Sequence, residues 1–398
     1  MDYALLNVYA PGNTGDRAIV EETVAFIREH GQPDAKIGLV TTHVAECEAY
    51  YAGDPGLRVH ASPWTLVPRS QMGAAGIAND VGGLLSTYVL PPAFASSPLK
   101  TLLPRTKCVI SVGGGYLYSS YRSRISRGLL NALSGIVFAV RLGCRVVLCP
   151  MSIGPFRSEF DASVVARGLR RTTAILCRDR RSLDWCRQRG LGQAELAPDM
   201  AVLLGRRRTE RAPGEAVKIG ITFVDLRNYA TTEQLATAED VPERLRRVVE
   251  AVAETNPVEV TIYAHVDVSE QDSDVGPSNR LAQALAAFSP TVERTSDQDV
   301  ETQCARYGAS DLFIGSRLHS CLFALAGGAK VIALAYQPKH RGVLETLGLQ
   351  DYVLDVWSFD PDAMIDKARA VLSGGDYPFD PETPKRDLEC TLVKHIGL

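Results

Sequence analysis

Short β-branched runs recur along the whole chain, and stretches with helical spacing fall between them. In the first half the runs are residues 3–9, 37–41, 58–60, 108–112, 145–149 and 174–177. In the second they are residues 218–223, 258–263, 312–314 and 331–335. This alternation predicts βαβ units, and therefore parallel sheets covered by helices. The clearest helix, over residues 17–30, sets Ile19, Val20, Val24 and Ile27 on one face. Further helices are expected at residues 243–254, 279–288, 339–347 and 361–372.

A chain of 398 residues, 45% of them hydrophobic, exceeds what one core usually supports, so two domains are expected. The polar stretch 205–214, bounded by glycines and holding Pro213, reads as the linker. The expected fold class is α/β: two Rossmann-like, doubly wound domains facing a cleft. The first covers residues 1–204 and the second 215–375, with a tail over 376–398 packing back. Residues 70–104 fit the alternation poorly and read as irregular, with a helical piece near 86–90.

A formal charge of −3 gives no general field for a nucleic-acid backbone, so a nucleic-acid partner is not expected. The nine cysteines form no CxxC pair and several lie inside apolar runs, which reads as free thiols in a reducing cytoplasm. The start of the chain lacks a basic leader, and the longest apolar run, 128–140, contains Asn131 and Ser134 and reads as a buried helix. A cytoplasmic location is the expectation.

Five strand-to-helix junctions carry candidate chemistry. Pro11-Gly12-Asn13-Thr14-Gly15-Asp16 follows the first strand, where free N–H groups at a helix start could meet an anion, or where Thr14 or Asp16 could simply cap the helix. Gly113-Gly114-Gly115-Tyr116-Leu117-Tyr118 leads into a stretch with Tyr121, Arg122 and Arg124. This reads either as an acceptor-sugar subsite or as a tight turn with solvated arginines. Arg178-Asp179 ends another strand and offers a guanidinium for phosphate or carboxylate, or an internal ion pair and cap. In Gly315-Ser316-Arg317-Leu318-His319, extended backbone would project Arg317 and His319 to one side, pairing an anion clamp with a proton-exchanging group. Tyr336-Gln337-Pro338-Lys339-His340-Arg341 places Lys339 at a helix start, as an anion ligand or as part of a solvated basic cluster.

The order Asn-x-Gly-Asp, Gly-Gly-Gly, Ser-Ile-Gly-Pro, Arg-Asp-x-x-Ser, Arg-Leu-His and Tyr-x-x-Lys, from Asn13 to about Leu349, resembles the polysaccharide pyruvyl transferase family. The resemblance implies a GT-B-like architecture and transfer of a pyruvyl ketal from phosphoenolpyruvate to a sugar. The acceptor would be a polysaccharide repeat, a lipid-linked glycan or a small glycoside. It implies His319 as general acid, with Arg317 and Lys339 at the donor and Arg178 as a further anion ligand. Asn13, Asp16, Gly114, Gly115 and Ser316 would line the substrate, Asp16 being the candidate base. The scheme needs no metal and no cofactor beyond phosphoenolpyruvate as donor substrate. Met151 and Arg17 depart from the usual pattern beside two of these motifs, which bears on how the acceptor is bound. A membrane-bound acceptor would meet residues 116–127 at the inner face of the membrane, against the plainer reading of a solvated helix start. Two alternatives share the architecture: a nucleotide-sugar glycosyltransferase and a non-catalytic sugar- or anion-binding homologue.

Overall fold

Two parallel sheets dominate the structure, a computed structural model that describes residues 1–66, 73–92, 97–119, 126–204, 215–269 and 272–398. The expected linker 205–214, and Tyr121, Arg122 and Arg124 of the expected sugar subsite, lie outside the described residues. The first sheet contains β1 (Tyr3–Val8), β2 (Ile37–Thr41), β3 (Leu57–Ala61), β4 (Cys108–Ser111), β5 (Gly114–Leu117), β6 (Val146–Ile153), β7 (Ala174–Cys177) and β8 (Ala194–Leu196). Its order is β3-β2-β1-β4-β6-β7-β8, with β5 alongside β6. Every position of β2 and β6 is buried, as parallel strands covered on both faces require.

The second sheet contains β9 (Val217–Thr222), β10 (Val258–Ala264), β13 (Thr291–Arg294), β14 (Leu312–Gly315), β15 (Lys330–Ala335) and β16 (Val353–Asp355), in the order β13-β10-β9-β14-β15-β16. A small antiparallel hairpin, β11 (Asp267–Ser269) and β12 (Asp272–Ser273), follows β10. Strand order reverses between β1 and β4 in the first sheet and between β9 and β14 in the second. In open α/β sheets these switch points, at the carboxyl ends of the strands, are where ligands bind.

Each sheet organises one compact unit. The first comprises residues 1–11, 16–200 and 387–398, and the second residues 12–15 and 201–386. The first core packs Leu6, Val109, Leu133, Phe138 and Leu148 together, and the second Ile219, Ile221, Val249, Ile262 and Ile314. The tail divides: unit 2 extends beyond residue 375 to Arg386, and only 387–398 belongs to unit 1. There His395 and Lys394 pair with Glu195, and Arg145 donates to the His395 carbonyl.

Several elements differ from the expected ones. The first helix starts three residues early, as Thr14–His30, because Asn13 Oδ1 accepts from Gly15 N at 3.2 Å and closes the turn before it. The segment expected to be a glycine turn forms β5, and β6 runs through Pro150 to Ile153. Residues expected to be mostly irregular include the helix Ala74–Leu84, continued by a wider turn over Leu85–Val89. No cysteine is disulfide-bonded, and Cys390 is the exposed one. Among the described residues, no helix is long and apolar enough to cross a membrane.

Candidate functional site

The switch point of the second sheet brings the Arg-Leu-His motif to the end of β14. Extended backbone does not carry both side chains to one side, as the spacing alone suggests. The helix Leu318–Ala326 begins immediately, with Arg317 as its extended cap residue and His319 already in the first turn. Arg317 does not cap with its side chain. Instead its guanidinium meets Asp274, with Nη2 2.8 Å from Oδ1 and Nε 3.2 Å from Oδ2. Asp274 is fully buried while Arg317 keeps 14% of its side-chain surface exposed. The carboxylate thus fixes the plane of the fork, at the expense of part of its positive charge.

His319 is half-buried, and its surroundings come from distant parts of the chain. A side chain on Gly15 would fall within 2.9 Å of the imidazole Cε1 and closer still to Nδ1, so only glycine lets the Asn-x-Gly-Asp loop lie against the ring. That explains why residues 12–15 group with unit 2. Thr14 Oγ1 accepts from the buried amide of Gln303 at 3.3 Å, tying the same loop down. On the other side His319 faces Phe323, which also packs edge-on against His265 at 5.7 Å. His265 Nδ1 lies 2.9 Å from Tyr307 Oη, and Thr295 Oγ1 lies 2.6 Å from that same oxygen. Burial pushes the Tyr307 phenol well above its ordinary value, which keeps it a neutral hydrogen-bonding group.

Lys339 stands exposed in the first turn of the helix Pro338–Thr346. The solvated basic cluster is only partly present, because His340 beside it is buried and packs on Tyr336 at 4.5 Å. Burial raises the Tyr336 phenol, and the nearby Arg317 opposes that rise. Ser316 does not fit the expected substrate role. Its hydroxyl is buried, donates to the Thr222 carbonyl at 3.0 Å and accepts from Val224 N at 2.9 Å, joining the β9 and β14 loops.

The switch point of the first sheet gathers the other candidates. Gly114 adopts φ 121°, a conformation L side chains rarely take, and Asp16 Oδ1 lies 3.6 Å from where its Cβ would be. Tyr116 turns inward rather than presenting itself to a sugar: its hydroxyl lies 2.6 Å from Ser111 Oγ and donates to the Val112 carbonyl at 2.8 Å. Arg178, expected as a donor ligand, is 2% exposed and pairs with the fully buried Asp199 at 2.7 Å. Its Nε donates to Ser152 Oγ at 3.0 Å, and its Nη2 would be 3.2 Å from a Cβ on Gly115. A guanidinium so enclosed holds the strand ends of β5, β6 and β7 in place rather than reaching an external anion. Asp179 caps the following helix through Ser182 N at 2.8 Å.

Sequence reasoning missed Asp274, His265, Tyr307 and Gln303. Only Asp274 left a trace, as an acidic residue just before Val275-Gly276-Pro277, a helix-start signal.

The profile of the polysaccharide pyruvyl transferases matches residues 13–338, a span that opens at Asn13 and closes at the start of the Lys339 helix. The chain belongs to the polysaccharide pyruvyl transferase family. A curated relative, the amylovoran biosynthesis protein AmsJ of Erwinia amylovora, is 24% identical over 290 residues, which cover 68% of this chain and 66% of that protein. Solved structures share the fold of this family member at low identity. A UDP-GlcNAc 2-epimerase from Neisseria meningitidis, bound to UDP-GlcNAc, superposes with a TM-score of 0.56 at 9% identity, covering 99% of this chain and 100% of its own. A UDP-GlcNAc 2-epimerase from Methanocaldococcus jannaschii gives 0.53 at 8%, covering 99% and 100%. The lipopolysaccharide outer core galactosyltransferase WaaB gives 0.53 at 11%, covering 100% and 99%. These likenesses establish two Rossmann-like domains of the GT-B kind.

Proposed function

We propose that this chain transfers a pyruvyl group from phosphoenolpyruvate to a sugar, forming a ketal and releasing phosphate. Family membership places it among transferases acting on polysaccharides. The observation that carries the finer reading is His319 packed against Gly15 and Phe323, two residues beyond an arginine oriented by Asp274. Arg317 and Lys339 supply cationic groups for the donor's carboxylate and phosphate, and the first turn of the helix Leu318–Ala326 adds its dipole. His319 gives a proton to the donor's methylene carbon, which becomes the methyl group. The central carbon, now electrophilic, accepts one sugar hydroxyl, and a second hydroxyl displaces phosphate to close the ketal. General acid catalysis of this kind contributes about 10²–10⁴-fold, and oriented cations supply much of the remainder.

The test mixes the purified protein with phosphoenolpyruvate and glycans from cells that lack it. Phosphate release, together with glycans heavier by one pyruvyl ketal, is the expected outcome. Turnover only with a nucleotide sugar, with release of a nucleotide, would establish the glycosyltransferase alternative instead.

A further inference from the structure

The helix Ala74–Leu84 turns an apolar face to solvent. Ile77, Val81, Leu85 and Val89 recur every fourth residue along it and the wider turn that follows, each between 40% and 61% exposed. With Leu90 they make up five of the twelve large apolar side chains exposed among the described residues. Single exposed apolar residues are ordinary, but a contiguous group of them marks a contact surface. Asn79 is the one polar residue that this helix exposes, and its amide donates to the Thr65 carbonyl at 3.0 Å.

The opposite side of the same helix is already engaged. Trp64 lies against Gly83, where any Cβ would collide with the indole. Tyr88 Oη donates to the Leu130 carbonyl at 2.6 Å, and Asp80 pairs with Arg127. Arg141 donates to the carbonyls of Thr87, Val89 and Leu90. Arg127, Leu130 and Arg141 all belong to the helix Arg127–Arg141, which therefore supports the segment from beneath and leaves its apolar stripe outward.

The charges select the partner. Between Asp54 and Glu159 the chain carries eleven Arg and Lys residues and a single acid, Asp80, although its formal charge overall is −3. Arg127 neutralises Asp80, whereas Arg141, at the far end of the stripe, meets only carbonyls among the described residues and keeps its charge. The helix Glu159–Leu169 also packs on Arg127–Arg141 and brings two acids. Asp161 is buried, accepts from Ser126 Oγ at 2.8 Å and faces Arg157 at 3.8 Å, while Glu159 pairs with Arg189. An apolar stripe on so cationic a stretch of chain suits acyl chains beneath anionic headgroups. A second copy of this chain fits it poorly, because a two-fold contact sets each patch on its own kind and opposes cation to cation.

We infer that the face formed by Ile77, Val81, Leu85 and Val89 docks unit 1 on an anionic phospholipid surface. The helix lies in that surface and does not cross it, being too short to span a bilayer. This face is separate from residues 116–127, and the docking is independent of the chemistry proposed for His319.

The experiment is co-sedimentation of the full chain with vesicles of phosphatidylcholine alone and of phosphatidylcholine mixed equally with phosphatidylglycerol, at low and at high salt. Wild-type protein should bind the anionic vesicles at least tenfold more tightly than the neutral ones, and high salt should narrow that difference. The combined change Ile77→Gln, Val81→Gln and Val89→Gln keeps good helix formers at exposed positions, so the melting temperature should stay close to wild type while binding falls at least tenfold. Val81→Trp keeps the face apolar; it should bind at least as tightly as wild type, and its added emission should shift to the blue on anionic vesicles. That variant decides the matter if the triple change fails to fold. No binding of wild type to anionic vesicles, equal binding to both kinds, undiminished binding by a folded triple variant, or an unmoved Val81→Trp emission would each overturn the proposal. Sedimentation equilibrium that finds a dimer, dissociated by the triple change, would assign the face to a second copy and overturn it as well.

Discussion

Asp274 Oδ1 lies 2.8 Å from Arg317 Nη2, and the carboxylate is fully buried while the arginine remains partly accessible. Removing the carboxylate would leave a largely enclosed guanidinium without its counterion. Asp274→Asn should destabilise the protein by about 3 kcal/mol, the usual scale for breaking a buried pair, and should raise KM for phosphoenolpyruvate. Urea unfolding and steady-state kinetics check both; an unchanged unfolding midpoint would contradict the pairing.

Gly15→Ala separates function from folding. In a helix the change from glycine to alanine ordinarily adds about 0.5–1 kcal/mol of stability, but here the added carbon collides with the His319 ring. Turnover should fall by roughly 10²-fold, the scale of a misplacement near 1 Å, while the melting temperature stays close to wild type. Wild-type turnover in this variant would mean that the ring position is unimportant.

Arg178 offers the opposite contrast. Because it is closed off with Asp199 and Ser152, Asp199→Asn should cost about 3–5 kcal/mol of stability and lower the yield of folded protein. A direct donor ligand would behave differently, losing affinity for phosphoenolpyruvate with stability intact. Calorimetric melting alongside a phosphoenolpyruvate titration distinguishes the two.

Asp225 carries a pH signature. Hydrogen bonds from Arg227 hold its carboxyl below the ordinary value, against the opposing effect of burial. A depressed folded pKa contributes stability above the unfolded value, near ~3.9, and that contribution is lost as pH falls through the folded pKa. Asp225→Asn should therefore be less stable than wild type at neutral pH, by under about 1 kcal/mol for so accessible a pair, and the gap should close as pH falls through the lowered folded pKa. Urea midpoints at several pH values check this, and a gap that widens in acid would contradict it.

The sheets were legible because fully buried parallel strands are continuous β-branched runs, and Ile37–Thr41 and Ala174–Cys177 appear at the residues expected of them. Weaker signals failed where tertiary contacts decide. Gly114–Leu117 looks like a turn in sequence yet pairs with β6, and Thr291–Arg294 is an edge strand with mostly exposed side chains and little apolar pattern. At the candidate site, the motifs singled out Arg317, His319 and Lys339, but their partners were invisible. Asp274 is 43 residues from Arg317 and Gln303 is 289 from Thr14, separations no local pattern can encode. The same limit explains Arg178 and Ser316, whose residue types suit a ligand but whose partners Asp199, Thr222 and Val224 occupy them.

In the proposed reaction His319 donates the proton that makes phosphoenolpyruvate electrophilic. The most direct measurement is phosphate release by His319→Ala, using the glycan fraction that supports wild-type turnover, beside a phosphoenolpyruvate binding titration of the same protein. Binding should persist while turnover falls by about 10²–10⁴-fold. A variant that binds phosphoenolpyruvate and turns over at the wild-type rate would contradict the account.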